Sequence, residues 1–182
     1  MKRPSIFVLL PFLLATLAIS CTNESTEESI EFTGNEVEME MVPGTVQGNI
    51  TSGTIIIKER TDGSAQIDIT LNGVIANAVH PVHLHFGSLE ADGDVATYLG
   101  ELREENGIGK SSTILSQLSD NSTIDYSDFL LFDGSIKIHF EESGALENEI
   151  LGAVNIGMNA EKNEAYLKGT KSITICNSDF SN

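Results

Sequence analysis

Alternation of apolar and polar side chains with a period of two dominates this chain, and that period predicts strands. Residues 54–58 form a β-branched run bounded by Gly53. The turn signal Thr61-Asp62-Gly63-Ser64 separates it from residues 65–71, where Ala65, Ile67, Ile69 and Leu71 alternate with Gln66, Asp68 and Thr70. The two runs read as a β-hairpin. Residues 82–86 alternate too, residues 95–102 are strand-like, and residues 136–140 alternate cleanly after Asp133-Gly134. Residues 151–156 and 172–175 complete the predicted strands. Only residues 112–119 and 126–132 hint at short helical turns. Short strands separated by Gly, Asp and Asn turns predict an all-β fold, an antiparallel Greek-key sandwich or barrel. The pattern holds no internal repeat and no second domain.

The same parity sorts the histidines. Residues two apart on a strand share a face. Val82, Leu84 and Phe86 are expected to face the core, so His83 and His85 project together from the other side. Ile136, Ile138 and Phe140 likewise leave His139 on the non-core face. If the two strands are neighbours, three imidazoles meet. Such a set suits copper, with zinc the second choice, whereas hard ions prefer carboxylates. His80 has the wrong parity and precedes Pro81, which places it as a group that orients a ligand imidazole rather than as a ligand. A His-x-His pair on a polar sheet face, holding no ion, is the plain structural alternative.

The N-terminus follows a different logic. Lys2 and Arg3 precede the apolar stretch 6–19, too short for a transmembrane helix. The stretch ends Leu17-Ala18-Ile19-Ser20-Cys21, which resembles a bacterial lipobox, with Ala18 where the motif usually has Leu. That resemblance implies a signal peptide over residues 1–20, lipid on Cys21, and anchoring to the outer membrane within a bacterial cell envelope, periplasmic or surface-exposed. Residues 21–42, rich in Glu, read as an acidic flexible tether, and residues 43–182 as the β domain. An acidic stretch after a lipidated Cys also resembles the surface-export signals of some Gram-negative lipoproteins.

Charge narrows the partners. The chain has 182 residues, 10 Lys+Arg and 27 Asp+Glu, for a formal charge of −17. Loss of residues 1–20 removes only basic charge, so the mature chain is more acidic still. Nucleic acid is excluded as a partner, because phosphates demand Lys and Arg patches. Two cysteines cannot build a disulfide scaffold or a Cys-based zinc site; with Cys21 lipidated, Cys176 is a lone thiol. Asp92-Gly93-Asp94 lacks a full EF-hand pattern, and Ser111 and Ser112 lack the His-Asp context of a nucleophile.

Three ordered motifs carry a family resemblance. His80-Pro81-Val82-His83-Leu84-His85-Phe86-Gly87 resembles the His-Pro-Ala-His-Ile-His segment of CHRD domains, a β-sandwich family named after chordin. The run from Tyr126 to His139 resembles the Tyr-x-x-Leu-Leu-x-Phe-Asp-Gly-x-Ile-x-Val-His segment of its bacterial members. Ala153-Val154-Asn155-Ile156-Gly157-Met158-Asn159 resembles their Ala-x-Gly-Asp-Ile-Gly-x-Asn segment. The likeness spans about residues 44–160 and includes the hairpin at residues 53–71.

A more distant similarity is to Cu/Zn superoxide dismutase. It implies a dismutase-like fold, with His83, His85 and His139 on copper-ligand positions and His80 on the non-ligand His that buttresses the strand. The departures are large. That family's bridging and zinc ligands lie in the loop after the first His strand, and residues 88–125 contain no His. The family's disulfide is missing, the last Arg is Arg103, and the acidic charge would repel superoxide. The expectation is a non-catalytic envelope lipoprotein whose domain binds a metal ion or a macromolecular partner. A copper-dependent dismutase-like enzyme and a purely structural or adhesive module are the alternatives.

Overall fold

The computed structural model describes residues 32–91 and 93–175; residues 1–31, on which the expected signal peptide and Cys21 fall, and Cys176 lie outside them. The predicted hairpin forms as β2 (Ser52–Arg60) and β3 (Ala65–Asn72), paired antiparallel in unbroken register from Ser52↔Asn72 to Glu59↔Ala65. Their alternation does what period two requires: Ile55, Ile57, Ile67, Ile69 and Leu71 are buried, while Thr70 and Asn72 face solvent.

Eight further strands complete the sheet: β1 (Phe32–Pro43), β4 (Val79–His80), β5 (Val82–Phe86), β6 (Val95–Tyr98), β7 (Leu102–Glu105), β8 (Ile108–Leu115), β9 (Asp133–His139) and β10 (Ile150–Gly157). Their order is β4-β7-β8-β3-β2-β1-β10-β9-β5-β6, every pairing antiparallel. β1 turns the corner. It pairs with β2 as far as Met41↔Gly53, then with β10 through Val42↔Ala153 and Pro43↔Gly152. The curled sheet thereby presents two faces to one core. Ile55, Ile57, Ile67, Ile69 and Leu71 meet Val82, Leu84, Ile136, Ile138, Val154 and Ile156 across it. The neighbours β8–β3 and β10–β1 are distant in sequence, as Greek-key crossovers are. The fold is all-β, as the alternation predicts.

Helix is confined to two short elements, α1 (Tyr126–Leu131) and α2 (Asn163–Leu167), plus a 3-10 turn at Ala160–Lys162. α1 falls where the sequence predicts a helical turn. Asp125 accepts from Asp128 N at 2.8 Å and Asp128 accepts from Asp125 N at 3.2 Å, which satisfies two otherwise orphaned amides.

Five expectations differ. The tether expected over residues 21–42 is strand from Phe32 onward, because Val37, Met39 and Met41 form an inward row between Glu36, Glu38 and Glu40. The helical turn expected at residues 112–119 is strand over its first half, where residues 112–115 end β8, whose eight residues pair with β3 from Ala65↔Leu115 to Asn72↔Ile108. The strand-like stretch 95–102 divides into β6 and the start of β7 with a break at Leu99, Gly100 and Glu101, and residues 172–175 form no strand. Phe86, expected in the core, is 44% exposed and rests on Phe132 at a ring separation of 5.4 Å.

The layer β10-β9-β5 is buried on both faces. Its outer face carries a second apolar cluster of Val42, Leu89, Ile150, Ala153 and Tyr166. The segment between β5 and β6 is pinned over it: Leu89 N donates to Asn155 Oδ1 at 2.8 Å, and Thr174 N donates to Leu89 O at 3.1 Å. The loop after β9 folds over the same face. Phe140 N donates to Glu149 O at 2.9 Å, and Leu146 N to Glu141 Oε1 at 2.6 Å. These two coverings turn a nominally polar sheet face into an interior.

Candidate metal centre

β5 and β9 are direct neighbours, with Val82↔Ile138, His83↔Lys137 and His85↔Ser135 in register. This is the adjacency that the His parity requires. His83 and His85 leave β5 on the outer face, and His139 leaves the end of β9 on the same face. Ring centroids are 4.5 Å apart for His83–His139, 5.7 Å for His85–His139 and 5.8 Å for His83–His85. Each residue offers a ring nitrogen, and these three atoms lie within 4.8 Å of one another. Nitrogens bound to one ion at about 2.0–2.1 Å stand about 3.3 Å apart in a tetrahedral arrangement. Ring shifts of about 1 Å therefore bring the trio onto a single ion.

All three side chains are buried, at 4%, 0% and 0% exposure for His83, His85 and His139. Two are aimed from behind. His85 Nδ1 donates to Gly93 O at 2.9 Å and His139 Nδ1 to Glu147 O at 3.2 Å. A carbonyl oxygen can only accept, so each Nδ1 carries a proton, and in the neutral ring Nε2 then holds the lone pair. This is the support that metal-ligating imidazoles use: one nitrogen to the ion, the other to a backbone carbonyl.

The electrostatics favour neutral rings. Burial, then the neighbouring His139 and His85, push His83 down to about 3. Burial also holds His139 below the usual imidazole value; the Glu147 carbonyl opposes the shift and the Lys137 charge adds to it. At neutral pH both rings are unprotonated, the state a metal requires. With three imidazoles and no carboxylate in the cluster, the donor set fits a borderline ion such as copper or zinc better than calcium or magnesium.

His83 and His139 also form part of the lining of a cleft of about 620 Å3. Tyr98 stands at this cleft with its ring edge-on to His83 at 4.7 Å. Glu101, Glu141, Glu142 and Glu147 line it too. His80 is elsewhere: it sits on β4, and its Nδ1 donates at 2.7 Å to the carbonyl of Phe140, the residue after His139. Its link to the trio runs through the backbone next to a candidate ligand.

Sequence reasoning did not reach two features. Lys137 is fully buried on the same face, between Ser135 and His139 along β9 and opposite His83 on β5. Period two already places it there, since 135, 137 and 139 share parity. The acidic cleft was less visible, because Glu101 and Glu147 are far apart in sequence and only the fold brings them together. Among the described residues no helix is long and apolar enough to cross a membrane. No family model, curated protein or solved structure matches this chain.

Proposed function

We propose that this chain is an envelope-anchored lipoprotein, lipidated on Cys21, whose CHRD-like β domain binds one metal ion without catalysing a reaction. Copper is preferred to zinc, and His83, His85 and His139 are the ligands. The observation that supports this reading is the buried trio itself, three ring nitrogens within 4.8 Å, two of them on rings oriented by backbone carbonyls. When bound, the ion would supply a Lewis-acidic centre; the protein keeps His83 and His139 neutral, orients His85 and His139 from behind and buries all three rings. The cleft carboxylates argue against the dismutase-like alternative, because they would repel an anionic substrate.

Copper titration of the mature chain, carrying Cys21→Ser for solubility, tests the reading. One equivalent should bind, and His83→Ala should abolish stoichiometric binding while circular dichroism confirms the fold. Absence of binding, or binding indifferent to His83→Ala, would leave the trio as a structural cluster and favour the adhesive or purely structural alternative.

A further inference from the structure

Glu101, Glu141, Glu142 and Glu147 come from two distant stretches of chain, yet they line one cleft with His83 and His139. Three of these side chains are held. Glu141 accepts from Leu146 N at 2.6 Å, Glu147 accepts from Gly144 N at 3.3 Å, and Glu101 is paired with Arg103. Among the described residues that line the cleft there is no Lys or Arg. Against the four carboxylates stand Arg103, bound to Glu101, and Lys137, whose charge is felt at His139. The carboxylates that line the cleft beside His83 and His139 thus outnumber these cations four to two.

Resting on the metal reading above, the geometry points to this cleft as the loading port of the site, one that draws in a hydrated metal cation and turns away small anions and anionic metal chelates. Its volume of about 620 Å3 exceeds what a hexahydrated ion needs, roughly 180 Å3 at about 30 Å3 per water. The ion thus enters with its water and exchanges it for imidazole at the floor. The carboxylates act before ligation. They raise the local cation concentration through a field that low-dielectric walls focus, and salt screens that field over about 10 Å at 0.1 M. The port accounts for a strongly acidic cleft above a donor set that contains no acid.

Stopped-flow mixing of the mature chain (Cys21→Ser) with copper(II) chloride tests the port. The sequence has no Trp, so tyrosine emission is the signal, and Tyr98, in ring contact with His83, should be quenched on loading. Glu141→Gln/Glu142→Gln should slow association about tenfold at low salt and flatten its salt dependence. Glu36→Gln/Glu38→Gln removes the same charge from the exposed side of β1 and should leave the rate unchanged. Equal rates for the two double variants, or a wild-type rate indifferent to salt, would overturn the port while leaving the metal site standing. Absence of bound copper in the unsubstituted chain at equilibrium would overturn the metal reading and the port with it.

Discussion

Acidification should destabilise the metal-free domain well before its carboxylates respond. His83 titrates near 3 in the fold and near 6.5 when unfolded, so between those values the unfolded chain binds the extra proton. Its contribution is fully present above pH 6.5 and is lost as pH falls toward 3. The loss reaches about 1.4 kcal/mol at pH 5.5 and about 2 kcal/mol at pH 5 from this residue alone. His139, also depressed, adds to it in the same direction. The groups facing His83 are His85 on its own strand, Lys137 and His139 on β9, Tyr98 on β6, and the cleft carboxylates. Carboxylates with depressed values, such as Asp62 and Asp68, lose their contribution only as pH falls through the unfolded carboxylate range near 4. Urea unfolding in chelator, followed by circular dichroism at pH 7.5, 6.5 and 5.5, isolates the imidazoles. Stability should fall by at least about 1.4 kcal/mol across that window, and His83→Gln should remove most of the slope. A flat profile, or an undiminished slope in the variant, would refute the description of His83 as a buried neutral ring.

Other outcomes follow from the same geometry. In Gly93→Ala the new Cβ would lie 1.8 Å from Phe86 O, so the segment carrying the carbonyl behind His85 must move. Copper affinity should drop about 10–100-fold, read by competitive titration; unchanged affinity would show that this carbonyl does not orient the ligand. Ile136→Ala, at a fully buried position between the sheets, should cost about 2–5 kcal/mol in urea unfolding, and a loss under 1 kcal/mol would contradict the packing described. At copper concentrations about a hundredfold above Kd, the wild-type domain should gain about 2.7 kcal/mol of stability, and the His85→Ala variant much less. Cys21→Ser should move the full-length protein from the membrane to the soluble fraction on cell fractionation; continued membrane retention would rule out the lipid anchor.

What the sequence made legible is what short-range parity controls. β3, β5, β9 and the shared face of His83, His85 and His139 follow from alternation, and β2 and β10 from short β-branched or apolar runs. Hidden were features settled by distant contacts. β1 is masked because Glu36, Glu38 and Glu40 dominate the composition of a segment whose inward row is only Val37, Met39 and Met41. β8 loses its apolar alternation to Ser111 and Gly109 on the inner face, while Ile114 stands 54% exposed. The seclusion of the histidines was invisible for the same reason. It depends on Leu89 reaching Asn155 and on Glu147 reaching His139, and no local pattern encodes either contact.

The passage of β1 from one sheet to the other bears on how the molecule comes apart. One continuous backbone bonds to β2 through Met41 and to β10 from Val42, so neither layer can peel away without fraying a strand that the other also needs. The two halves should therefore open as a single cooperative unit. Slowly exchanging amides in β3, remote from the histidines, should report the same opening free energy as those in β9. An ion held at one side of the sandwich would then protect backbone amides on the other, and amide exchange would register its arrival across the whole fold.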